Sequence, residues 1–130
     1  MKPNNLSIRL SIPTEYQECR CFWDWCILNP KIRNNIIHIP NEGKRTKIGG
    51  FLLKKIGLKA GTSDYFLTIP TKDFHGLWIE MKRKNSKSSL IRESQIRFID
   101  DQIKMGYQAK IAYGADHAIK IVREYLQLCA

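Results

Sequence analysis

Two short apolar runs, Tyr65 to Ile69 and Leu77 to Met81, stand on either side of the turn-rich tract Thr71-Lys72-Asp73-Phe74-His75-Gly76. That pattern predicts a β-hairpin with a mid-length loop. Upstream, Thr14 to about Leu28 has helical spacing, with residues 15, 18, 22 and 25 on one face and Asn29-Pro30 as its stop. Ile36 to Pro40 reads as a short strand, and Thr46 to Ile56 as a second helix weakened by Gly49-Gly50. After a polar stretch from Arg83 to Ser89, a helix is expected from Arg92 to Met105, with Ile96, Phe98, Ile99 and Ile103 inward and Gly106 as terminator. Tyr107 to Tyr113 alternates as a strand, and His117 to Leu126 forms a last helix with Ala118, Ile121, Val122 and Tyr125 on its apolar side. The order αβαββαβα predicts an α/β fold, one domain over residues 1–130 with a mixed central β-sheet flanked by helices and residues 1–13 weakly structured.

The hairpin gathers polar chemistry. With its loop centred near Asp73, antiparallel pairing sets Asp64 roughly opposite Lys82 and Phe66 opposite Glu80, with a slip of one or two residues allowed by the loop. Glu80 and Lys82 then share one face of the second strand, while Leu77, Ile79 and Met81 take the other. Asp64 and Glu80 are hard oxygen ligands suited to Mg²⁺, and Lys82 is a compact positive charge suited to a phosphate or an attacking water. Glu-x-Lys is also an ordinary solvated strand face, so the argument rests on the combination rather than on either residue alone.

Charge names the partner class. Lys and Arg total 22 against 12 Asp and Glu, a net charge of +10. Such an excess suits a polyanion, nucleic acid before anionic membrane. Arg83, Lys84 and Lys87 follow the Glu80 strand, and Lys44, Arg45 and Lys47 lie beside Gly43, which makes both clusters candidates for DNA phosphate contacts. No apolar run approaches the roughly 20 residues needed to span a bilayer, no signal peptide is visible, and no basic amphipathic helix with an aromatic face presents itself for membrane docking. Cys19, Cys21, Cys26 and Cys129 lack paired Cys-x-x-Cys spacing and read as small hydrophobes of a reducing compartment, not as zinc ligands. His38, His75 and His117 are scattered and receive no catalytic role, which disfavours a histidine-based nuclease.

Three segments together, GTSDYFLTIP, GLWIEMKRK and the helix opened by Ser94-Gln95, resemble the VRR-NUC (virus-type replication-repair nuclease) domain of the PD-(D/E)XK nuclease superfamily, from about Thr14 to Leu126. The resemblance implies a restriction-endonuclease-like fold in which Asp64 and Glu80 hold metal, Lys82 is the catalytic lysine and Gln95 is the glutamine of the following helix. It also implies a glutamate from the first helix; Glu15 and Glu18 are both candidates, the apolar flank of Glu18 fitting that place better. Asn41 and Gly43 match the family's IPN-G loop, which lets backbone amides approach a phosphate. Two positions depart from the pattern: Ser63 replaces the usual proline before the aspartate, and Arg92 stands where a serine commonly precedes the glutamine by three residues.

The activity so implied is Mg²⁺-dependent DNA endonuclease cleavage, with Mn²⁺ able to substitute, by a homodimer acting on branched DNA such as a four-way junction. The expected setting is cytoplasmic, as a phage or virus protein in its host or a bacterial intracellular one. The alternative is a non-catalytic basic nucleic-acid-binding module on the same fold.

Overall fold

The computed structural model describes residues 12–40, 46–87 and 90–127. Elements run α1 (Glu15–Cys26), α2 (Pro30–Arg33), β1 (Ile36–His38), α3 (Lys47–Lys55), β2 (Tyr65–Leu67), β3 (Leu77–Lys82), α4 (Glu93–Lys104), β4 (Gln108–Tyr113) and α5 (Ala115–Leu126). The four strands form one sheet in the order β1-β2-β3-β4, antiparallel except for the parallel β3–β4 pair. That parallel pair needs a crossover, and α4 supplies it. The predicted mixed sheet with flanking helices is the observed architecture.

Local chemistry accounts for the element ends. Thr14 caps α1 through a reciprocal pair, Gln17 N–H to Thr14 Oγ1 at 3.1 Å and Thr14 N–H to Gln17 Oε1 at 2.8 Å. Asn29 caps α2, with Pro30 at its first position, so the segment after the Asn-Pro stop is a helical turn rather than loop. Thr46 caps α3. Leu77, Ile79 and Met81 enter the core with Phe22, Ile121 and Val122, while Trp78 turns to the opposite side against Phe98 of α4, ring centroids 5.0 Å apart.

The hairpin pairs Tyr65 with Ile79 and Leu67 with Leu77, a two-residue slip from a loop centred at Asp73, within what the loop allows. Beyond Leu67, the Thr68 N–H and hydroxyl both bond the Asn35 carbonyl and Tyr125 Oη donates to the Ile69 carbonyl at 2.6 Å, which ties the start of the loop to distant segments. On α4 the buried positions are Gln95 and Phe98, whereas Ile96 and Ile103 are exposed, because that helix is oriented by what it meets on β3. And α3 buries none of its residues. It carries exposed Ile48, Phe51 and Leu52 together with Lys47, Lys54 and Lys55, the basic amphipathic helix with an aromatic residue that Gly49-Gly50 concealed.

Candidate active site

Continued one step beyond Tyr65, the observed register brings Asp64 beside Glu80, not Lys82. Asp64 Oδ2 accepts the Met81 N–H at 2.7 Å, locking the carboxylate onto the end of β3. Glu80 Oε1 accepts from Gln95 Nε2 at 2.7 Å and lies 3.7 Å from Lys82 Nζ. Gln95 is itself fixed, its Oε1 accepting the Arg92 N–H at 3.0 Å. The slip therefore makes a tighter carboxylate pair than the sequence arithmetic drew.

All three ionisable side chains are nearly dry: Asp64 is 7% exposed, Glu80 1% and Lys82 8%. Burial pushes the Glu80 carboxyl up to about 8, with Asp64 adding to the shift and Lys82 opposing it. Burial likewise pushes Asp64 up to about 6, the Met81 hydrogen bond opposing and Glu15 adding. Two carboxyls held apart from water beside one amine resist ionising together, and a bound cation would favour the charged form of both. Glu80 Oε2 is buried with no hydrogen-bond partner. A hard divalent cation suits this set, because it takes one or two carboxylates and completes its shell with water and phosphate oxygens. Among the described residues no group of three or more His, Cys, Asp or Glu is arranged to hold a metal.

The two first-helix glutamates part company. Glu18 is buried and its Oε2 accepts the Ala115 N–H at 2.6 Å, capping α5, whose N-cap residue Gly114 has no side chain to do so. A Cβ on Gly114 would collide with that same oxygen. Glu15, half-buried, shares with Asp64 a cleft of about 250 Å³.

The other named residues scatter. Arg83 spends its guanidinium on the Ile12 and Pro13 carbonyls, each at 3.0 Å. Lys84 pairs loosely with Asp116 at 3.8 Å; Lys87 and Lys47 are exposed. Asn41, Gly43, Lys44 and Arg45 lie outside the described residues, as does Cys129. Cys19, Cys21 and Cys26 are free thiols, and burial pushes Cys19 up to about 11 and Cys26 to about 12, away from metal or nucleophile chemistry. Ser63, in the place of the family's proline, buries a hydroxyl without a partner. Sequence reasoning passed over His38, whose Nδ1 lies 3.0 Å from the Asp64 carbonyl oxygen; the two are 26 residues apart, and only strand pairing joins them. The larger cleft, about 430 Å³, lies by the hairpin loop at Thr71 to Phe74 and has none of the buried acidic chemistry.

A mixed sheet whose third strand carries a buried carboxylate and lysine beside a second carboxylate defines a nuclease-type fold. A solved structure described as a VRR_NUC domain protein matches it with a TM-score of 0.78 and 26% sequence identity, covering 92% of this chain and 93% of that one. The chain is thus similar in fold to a VRR-NUC domain over nearly its whole length, the resemblance its motifs carry. No protein-family model matches the sequence, and no curated protein does. Among the described residues, no helix is long and apolar enough to cross a membrane.

Proposed function

We propose that the protein is a Mg²⁺-dependent endodeoxyribonuclease, with Mn²⁺ as an effective substitute. The observation that carries this reading is Glu80, buried with one oxygen held by Gln95 and the other without a partner, next to Asp64 and Lys82. Asp64 and Glu80 would hold the divalent cation, which when bound would offset charge on the scissile phosphate and lower the pKa of a water. The chain supplies orientation: the Met81 N–H aims Asp64, Gln95 aims Glu80, and Lys82 presents positive charge where the phosphate becomes more negative. Glu15 takes the first-helix place, facing Asp64 across the cleft, and Glu18 serves the start of α5. Exposed Lys47, Lys84 and Lys87 would contact DNA backbone.

A module built only to bind DNA gains nothing from a buried carboxylate pair, which repels phosphate unless a cation offsets it. Catalysis is therefore favoured over the binding-only alternative. Chelation should abolish cleavage of linear, flap and four-way-junction DNA, and Lys82→Ala should reduce it at least about 100-fold. Cleavage that persists in chelator would refute the metal-dependent reading, and a fully active Lys82→Ala protein would refute the assignment of Lys82.

The same reading includes a homodimer acting on branched DNA, since two sites related by two-fold symmetry can cut two strands. Support comes from α3, where Ile48, Phe51, Leu52 and, just beyond the helix, Ile56 expose an apolar patch. A patch of roughly a few hundred Å² on a helix that buries none of its own residues suits an interaction surface. Phe51→Glu should convert a dimer to a monomer in sedimentation velocity; a dimer unchanged by this substitution would move the interface off α3.

A further inference from the structure

Beside the candidate site runs a groove with a different chemistry. The cleft holding Glu15 and Asp64 shares Tyr16, Cys19 and His38 with a second cleft of about 280 Å³ that continues past Tyr65 to Arg20 and Trp23. The two clefts adjoin along those three residues, the first reaching Asp64 and the second leading away from it.

Its walls are aromatic, and at Tyr16 and His38 they are exposed. Tyr16 is 74% exposed and stands outside the buried cluster, although Phe22 and Tyr65 close by belong to it. Tyr16, Arg20 and Trp23 are spaced to share one face of α1. His38 is exposed on the edge strand, yet its ring is held, lying 5.0 Å from the Tyr65 ring and donating from Nδ1 to the Asp64 carbonyl oxygen at 3.0 Å. Arg20 is tied to Asp24, an exposed pair at 3.3 Å that a phosphate can replace at little cost, and it also interacts with the Tyr16 side chain beside it. Two exposed rings and a guanidinium in line with a phosphodiester-cleaving site suit a nucleobase and its backbone, since every base offers a π-face for stacking. A paired base keeps its faces inside the duplex and cannot enter.

We propose that this groove takes an unpaired nucleotide next to the scissile phosphodiester, its base stacked on Tyr16 and His38 and its backbone held at Arg20. The proposal rests on the nuclease reading for the identity of the ligand, and it makes the enzyme select DNA with an unpaired base beside the cut.

The test is fluorescence anisotropy in chelator, with a labelled single-stranded oligodeoxynucleotide and a blunt duplex of equal length, for wild type, Tyr16→Ala and Tyr16→Phe. Losing one stacked base should weaken single-strand binding about 10-fold in Tyr16→Ala, with duplex binding changed by less than about 2-fold and Tyr16→Phe close to wild type. Equal losses on both DNAs, no loss on either, or a Tyr16→Phe protein as weak as Tyr16→Ala would overturn the proposal. Failure of the nuclease reading is separable, because that would show as wild type inert with Mg²⁺ whatever the binding pattern without it.

Discussion

Glu80→Gln should lose at least about 1,000-fold in Mg²⁺-dependent cleavage while becoming more stable than wild type in metal-free buffer at pH 8. The two effects have one cause. Burial raises the folded-state Glu80 carboxyl from 4.5 to about 8, and the neighbouring Asp64 from 3.8 to about 6. Since both are raised, the stability they contribute is fully present below their unfolded values, near pH 4, and is lost as pH rises through the folded ones. Metal-free wild type should therefore weaken steadily between about pH 4 and pH 8, by a few kcal/mol at most after allowance for solvent relaxation. A neutral amide at position 80 removes the larger part of that slope. Added Mg²⁺ should reverse the ranking, raising the wild-type melting temperature more at pH 8 than at pH 5 and Glu80→Gln hardly at all. Thermal scans at the two pH values, with and without Mg²⁺, measure all of this. A wild type whose metal-free stability is flat from pH 4 to pH 8 would mean the carboxylates are not held dry.

Gly61→Ala should destabilise the fold by about 3 kcal/mol or more, far beyond an ordinary surface change. Gly61 has φ +82°, a backbone conformation that alanine adopts with strain, and an added Cβ would overlap the Ser94 carbonyl and come within 2.8 Å of the Gln95 N–H nitrogen. The obstacle is backbone in the first turn of α4, which cannot rotate aside as a side chain would. Relief requires that turn to move, and with it Gln95, the residue holding Glu80. Activity should thus fall along with stability, and urea denaturation beside a cleavage assay would show both. A variant within 1 kcal/mol of wild type would mean the 61–64 segment does not press on α4 as described.

The pattern of what was legible follows from the range of each interaction. The start of α1 at Thr14, the Asn29-Pro30 break and the alternation of β3 are all set by residues within a few positions of one another. The hairpin was legible, its register only to within two residues, and the start of its loop is tied to Asn35 and Tyr125, far off in sequence. Hydropathy placed Ile96 and Ile103 of α4 inside, whereas the interior position went to polar Gln95, whose partner Glu80 lies on another element. The preference for Glu18 rested on its apolar flank, which reports burial correctly but does not say against what; the answer, the α5 N-terminus, lies 97 residues away.

Sequence by itself determined most of the elements, the basic charge, the VRR-NUC resemblance and the candidate set Asp64, Glu80, Lys82 and Gln95, since these depend on residue type and short spacing. Tertiary structure alone decided that Asp64 faces Glu80, that Glu80 keeps one unpartnered buried oxygen, that Glu15 and not Glu18 shares a cleft with Asp64, and that an aromatic groove leads out past His38. Each of those depends on desolvation and on bonds between distant segments, quantities that exist only once the chain has closed on itself.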